Sequence, residues 1–274
     1  MKIITTLTTI PSRLSYQDDQ GIKLCIDSLI NQSYENYEIH FNIPHICKLS
    51  QEEYIIPEWL EELANNNPKL KIFRTEDLGP ATKLIPTIKR MDDLDTIIVV
   101  VDDDLVYHPD MISAHVENQT KWQDAIVGYD GLRSRNDDGQ HSSFFGDSRD
   151  YYYTSQKHIS KVDILQHYKS VSYKRAYFED DFFEFSNNNL SWSDDLLLAA
   201  YFSYKKRDRI VETHESIPEI KSFDEWIQLG GVSTFPVLRH THHESYEGCN
   251  VFRQTNVDDN GKLLYPFIDN GYIK

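Results

Sequence analysis

Cysteine is scarce in this chain: three residues in 274, Cys25, Cys47 and Cys249, widely spaced and without a Cys-x-x-Cys pair. An odd, scattered set argues against a disulfide framework and fits a reducing compartment. Long apolar runs are missing as well. No segment approaches the roughly 18 consecutive apolar residues that a membrane span requires, so a soluble, cytoplasmic protein without a transmembrane segment is expected. The N-terminal MKIITTLTTIPSR is interrupted by threonines and is followed by no small-residue cleavage site, so it reads as a first strand and not as a signal sequence. Basic blocks are absent too. With 28 Lys and Arg against 44 Asp and Glu the formal charge is −16, and no stretch could track a nucleic-acid backbone. Nucleic acid is therefore excluded as a partner. No internal repeat, low-complexity linker or Walker-type phosphate loop occurs.

What is there is an alternation of strand-like and helix-like segments. KIITTLTTI (2–10) is rich in Ile and Thr and stops at Pro11, as a strand does. Ile22, Cys25, Ile26, Leu29 and Ile30 recur at helical spacing, which predicts a helix over 18–32. YEIHFNIP (37–44) is the next strand, Pro57 opens a helix in its first turn, and LKIFRTE (70–76) is a third strand. TKLIPTIKRM (82–91) reads as a helix disturbed by Pro86, and TIIVVVD (96–102) as a strand buried on both faces in the middle of a parallel sheet. Pro109 starts a helix to about Trp122, and AIVGYDG follows as a strand. This order predicts an α/β fold, a three-layer αβα sandwich with a mostly parallel sheet and a ligand beyond the carboxyl ends of the strands. The second half holds a strand-like VSYKRAYF, an acid-aromatic FEDDFFEF and a helix from Ser193 to about Lys206.

The most hydrophobic run, IIVVVDDDLVYHP, ends in three aspartates. Successive side chains of an extended segment point to opposite sides, so Asp102 and Asp104 share one face and Asp103 looks the other way. Two carboxylates on one face at the end of a buried strand make a metal site or a costly repulsion. Hard oxygen ligands suit Mg2+ or Mn2+, which leave positions for substrate phosphates. The alternative is a solvated acidic turn. If the ligand is an anion, a chain this acidic must place a cation or a few basic groups against it.

Four stretches, in order, carry a resemblance. VVVDDDLVYHP resembles the DxD strand end of GT-A nucleotide-sugar-dependent glycosyltransferases, a group that includes family 2-like and viral enzymes. TTIPSRL with IDSLINQS is similar to their opening strand, base-binding loop and first helix. LGPATKLIP resembles their Gly-Pro-x-x-Lys stretch, and WSDDLLLAAYFSYK the paired-acid segment that opens their catalytic helix. Together these span roughly 3–205. The resemblance implies a GT-A fold and a nucleotide diphosphate sugar donor, uridine-linked by analogy, with Mn2+ or Mg2+ held by Asp104. Asp102 would share that metal or face the nucleotide, with Asp103, Thr8, Thr9 and Pro11 also on the nucleotide side. Arg13 and Lys83, each just past a predicted strand end, are candidates for phosphate or base contacts; surface charge is the plain alternative.

Glycosyl transfer with inversion needs a carboxylate to take the proton of the acceptor hydroxyl. Asp194 and Asp195 are the candidates, although Ser193 is a good N-cap and acids suit a first helical turn in any case. Aligned to a Glu-Asp pair the base is Asp195, and aligned to a Glu-Asp-Asp triplet it is Asp194; Asp195 is preferred. In RHTHHESYEGC, His240 and His242 would share a face if extended, and His242 is a candidate third metal ligand by analogy; a polar surface loop is the alternative. Trp192, Tyr173 and FEDDFFEF could line the acceptor side or pack in the core. HYKSVSY (167–173) stands where related enzymes often have a glycine-rich turn, and the QxxRW motif of processive synthases is missing, which favours transfer of one residue. The expected organisation is one domain, with a nucleotide-sugar lobe (1–108), an acceptor and catalytic lobe (109–239) and a C-terminal tail (240–274) as a possible lid. The expected function is metal-dependent transfer of one hexose or deoxyhexose to a hydroxyl of a glycan or glycoprotein. A non-catalytic carbohydrate- or calcium-binding module and a nucleotidyltransferase are the competing readings.

Overall fold

The computed structural model describes residues 1–14, 22–48, 50–132, 159–187 and 194–212. One eight-stranded sheet organises them. Its strands are β1 (Ile3–Leu7), β2 (Tyr37–Pro44), β3 (Leu70–Thr75), β4 (Ile97–Val100), β5 (Ile126–Gly128), β7 (Ile159–Lys161), β9 (Val171–Lys174) and β10 (Arg209–Glu212), in the order β3-β2-β1-β4-β9-β5-β10-β7. Strands β6 (Gly131–Leu132) and β8 (Ile164–Leu165) form a separate antiparallel pair. Within the large sheet β1 is parallel to β2 and β4, β2 to β3, and β5 to β10. Only β9, between β4 and β5, and the edge strand β7 run antiparallel to their neighbours.

Both faces of the sheet are covered, as its strand sequences require. In β4 and the next residue, Ile97, Val99 and Val101 point into one core with Ile3, Leu7, Ile39, Phe41 and Ile43, while Ile98 and Val100 point into the other with Val171 and Tyr173. Each such side chain, fully withdrawn from water, contributes about 1.5–3 kcal/mol. Helices α2 (Ile22–Ile30), α3 (Glu58–Asn66) and α5 (Met111–Lys121) cover the first face. Helices α4 (Ile85–Arg90), α6 (Asp181–Asn187) and α7 (Asp194–Tyr204) cover the second. A short α1 (Pro11–Leu14) follows β1. The result is a three-layer αβα sandwich with a mostly parallel sheet. No helix among the described residues is long and apolar enough to cross a membrane. Cys25 and Cys47 are buried free thiols.

Three details differ from the sequence reading. The chain at 82–91 is not one disturbed helix: a 3-10 turn at Ala81–Lys83 gives way to α4, and Pro86 sits in the first turn of that new helix, where its missing N–H costs nothing. β4 is not flanked by parallel strands on both sides, because β9 returns antiparallel beside it. Tyr173, Phe178 and Phe182 are core residues and do not line an acceptor surface. They pack with Tyr201 and Phe202 of α7, the ring centroids of Phe178 and Phe182 4.8 Å apart and edge-to-face. The acids of FEDDFFEF turn outward instead, where Glu179 and Asp181 meet Lys205 at 2.9 and 2.7 Å. Trp192, Ser193, the histidines at 240, 242 and 243, and the C-terminal tail lie outside the described residues.

Candidate functional site

The site lies past the carboxyl ends of β1 and β4, where the predicted residues meet. β4 ends at Val100 and the chain bends at Asp103 and Asp104; Asp103 is buried, whereas Asp102 and Asp104 keep 32% and 24% of their side chains exposed. Asp103 receives the Nη1 of Arg13, and the Nη2 of the same guanidinium lies 3.3 Å from Asp104 Oδ2. Arg13 is presented by α1, just past β1. Tyr107 fixes this turn from within: its hydroxyl accepts the Asp102 N–H at 2.9 Å and shares its proton between the carbonyls of Asp102 and Tyr168, each at 3.0 Å.

Lys83 is aimed by a buried polar network. Gly79, at φ 63, allows the turn after Asp77, whose Oδ1 accepts the Gly79 N–H at 2.7 Å. The carbonyl of Lys83 then accepts from Asn42 Nδ2 at 3.1 Å and from Thr6, while Thr87 joins both at 3.0 and 2.8 Å. Arg90 completes the set with 2.6 Å to Asn42 Oδ1. With its backbone held, Lys83 sends Nζ to Asp102 Oδ1 at 2.5 Å and to Asp194 Oδ2 at 2.7 Å. One buried ammonium thus joins the aspartates after β4 to the paired acids at the start of α7.

Asp194 and Asp195 open α7 beside a residue the sequence reading did not single out, His167. Its Nδ1 lies 2.9 Å from Asp194 Oδ2 and 2.5 Å from Asp195 Oδ1, and its backbone N–H donates to Asp195 Oδ1 at 3.2 Å. Its Nε2 meets the Tyr173 hydroxyl at 2.7 Å. Burial alone would push this imidazole down, but the two carboxylates outweigh it and hold the pKa up at about 9. Such a group stabilises the fold fully below about 6.5, its ordinary value, and the contribution fades as pH rises through about 9.

The two aspartates are pushed apart. Burial works against both, yet Lys83 and His167 hold Asp194 well below the usual carboxylate range. Asp195, buried and beside the Asp194 charge, is raised despite His167. Asp194 is also the more enclosed of the two side chains, 11% exposed against 30%. Pairs of this kind mark acid–base assignments.

Asp102 and Asp104 are partly accessible oxygen donors of the kind a hard divalent cation takes, and a cation there would compete with the Lys83 ammonium for Asp102 and with the Arg13 guanidinium for Asp104. A second group, His167 Nδ1 with Asp194 and Asp195, has ligand atoms within 4.8 Å of one another, and its charge is likewise met, by Lys83 and the imidazole. Thr8 and Thr9 stand beside the site without joining its ion pairs. Thr8 Oγ1 donates to the Asn42 carbonyl at 2.8 Å, the Thr9 carbonyl accepts from Tyr54 at 3.2 Å, and Pro11 begins α1 half-buried.

His167 leads into a strained turn. Ser170, fully buried, has φ 83 and ψ 139, a conformation that suits glycine, and its Oγ lies 2.8 Å from His115 Nε2. Ser170→Ala loses that bond and keeps the strain, whereas Ser170→Gly loses the bond and relieves the strain. The glycine variant is therefore expected to be the more stable of the two by about 1 kcal/mol in urea unfolding. This was the one trace in the sequence, since HYKSVSY stands out only by lacking the glycine its backbone favours.

No protein-family model matches the chain, and no curated protein matches it. Among solved structures it is similar to S. aureus TarS 1–349, with 14% identity over 76% of this chain and a TM-score of 0.48. It spans 58% of that TarS chain. It is also similar to 4-diphosphocytidyl-2C-methyl-D-erythritol synthase from Anaerococcus prevotii DSM 20548, with 14% identity over 83% of this chain and 94% of that one, at a TM-score of 0.49. The TarS 1–349 complex with UDP-GlcNAc gives 16% identity, 76% and 56% coverage, and 0.45. Likeness at these levels assigns neither family nor activity.

Proposed function

We propose that the chain is a metal-dependent glycosyltransferase that moves one sugar, with inversion, from a nucleotide diphosphate donor to a hydroxyl of a glycan or glycoprotein. The observation that carries the reading is Lys83, which bridges Asp102 and Asp194 and so joins a cation-compatible strand end to a pair of acids with opposed proton affinities. A donor diphosphate would lie beyond β1 and β4, within reach of the cationic groups of Lys83 and Arg13. A Mg2+ or Mn2+ ion held by Asp104 and Asp102 would supply the charge that neutralises the leaving diphosphate. Asp194, tied to Lys83 and His167, stays ionised. Asp195, more exposed and of raised proton affinity, takes the acceptor proton, so the structure supports Asp195 over Asp194 as the base. Uridine is the preferred nucleotide by resemblance alone.

Thermal shift tests the reading, because a ligand that binds only the native state raises the melting temperature. UDP with Mn2+ at about a hundred times its dissociation constant adds roughly 2.7 kcal/mol, which for a chain of this size is on the order of 5–10 °C. A shift with metal and none with nucleotide would favour a non-catalytic binding module. Pyrophosphate release from a nucleoside triphosphate would favour nucleotidyl transfer.

A further inference from the structure

His167 is an isolated histidine that neither the motifs nor the resemblance assigns to the site. It is 1% exposed, and every polar atom it carries toward α7 meets one of the paired acids. The groups that face it are Asp194 and Asp195 from α7, Tyr173 from β9 and, across Asp194, the Lys83 ammonium. Its two donors converge on a single oxygen, Asp195 Oδ1, from Nδ1 and from the backbone N–H. Among the described residues nothing hydrogen-bonds Asp195 Oδ2, on the partly exposed carboxylate.

We propose that His167 is the positioning residue of this site: it pins Oδ1 of Asp195 and thereby leaves Oδ2 as the oxygen that receives the acceptor proton. The inference rests on the transferase reading above. The Tyr173 hydroxyl, held in the aromatic core, fixes the ring from behind through Nε2 and sets its plane. The backbone anchor is set in turn by the Tyr107–Tyr168 bond, so the turn that carries His167 is tied to the aspartates after β4. Without the ring, the Asp195 side chain keeps only the backbone donor and can rotate, and the carboxylate loses a charged partner that favours its ionised form.

Two variants and one measurement on the unaltered protein test this. His167→Phe keeps a planar ring, somewhat larger than imidazole, and removes both ring nitrogens while the backbone N–H stays; His167→Asn returns a donor close to Nδ1. Nucleoside diphosphate release should fall roughly 10- to 100-fold in kcat for His167→Phe, with donor KM unchanged within about twofold. The acidic limb of kcat/KM should move to higher pH, and His167→Asn should recover most of the rate. An unchanged limb, or a loss that His167→Asn does not restore, would overturn the proposal. Nitrogen-15 NMR of the wild-type imidazole needs neither turnover nor a folded variant. It should find both ring nitrogens protonated at neutral pH, and a neutral ring with a bare Nδ1 would equally overturn it. If wild-type shows no transfer, the transferase reading fails, while the NMR result still decides whether His167 holds Asp195.

Discussion

Asp195→Asn is expected to lower sugar transfer by about 10³-fold while leaving the affinity for nucleotide diphosphate unchanged. A general base contributes typically 10²–10⁴-fold, and an amide of the same shape cannot take the proton. The Asp195 side chain is hydrogen-bonded to His167 and feels Lys83 only through its charge, so the donor side should be little disturbed. In the wild type, activity should fall as pH drops through the Asp195 titration, and that limb should lie above an ordinary aspartate, because burial and the Asp194 charge raise it. Asp194→Asn should behave differently. Asp194 holds Lys83 and His167, so its removal should disturb donor binding and fold along with rate. Steady-state kinetics with calorimetric UDP binding separates the two. If both variants lose nucleotide binding equally, the division of labour between the acids is wrong.

Lys83→Met is expected to give the largest loss of stability, about 3–5 kcal/mol at neutral pH, together with loss of turnover. Breaking a buried ion pair by removing one partner costs this much because the remaining charge is left uncompensated. Here one ammonium serves two carboxylates, and Asp194 keeps only His167. The melting temperature should fall by roughly 10 °C. The pH dependence gives the sign. Wild-type Asp194 is held below its ordinary value, so its contribution is present above that value and is lost as pH falls through the folded one. The deficit of Lys83→Met should accordingly shrink as pH drops and the carboxylates protonate. Urea unfolding at neutral and acid pH measures it, and a deficit independent of pH would place the loss in packing instead of charge.

The layered fold could be read from periodicity because its main strands are nearly continuous apolar runs: Tyr37–Pro44 has the bounds its sequence suggests, and Ile97–Val100 is buried on both faces as expected. The antiparallel course of β9 could not be read, since nothing local in VSYK encodes which strands it joins. At the site, alternation anticipated that Asp103 would be more buried than Asp102 and Asp104, but not the pairing of their carboxylates: Asp103 and Asp104 meet the same Arg13 guanidinium, while Asp102 meets Lys83. Lys83 and Arg13 were within reach of sequence reasoning because they follow strand ends. Their partners were not. That Lys83 reaches across to Asp194 depends on Asn42 and Thr6, which hold the Lys83 carbonyl from 41 and 77 positions away in the chain, with Thr87 bonded to both; that Arg13 faces Asp103 and Asp104 joins residues 90 and 91 positions apart. His167 was invisible for the same reason: a single histidine in HYKS acquires meaning only when α7 is laid beside it.

The metal-dependent transferase reading is tested most directly by the position of manganese, located by its anomalous scattering, in crystals grown with UDP and Mn2+. One ion is expected between the diphosphate and the carboxylates of Asp104 and Asp102, with Asp194, Asp195 and His167 free of metal. Manganese bound among His167, Asp194 and Asp195, with none at Asp104, would contradict it.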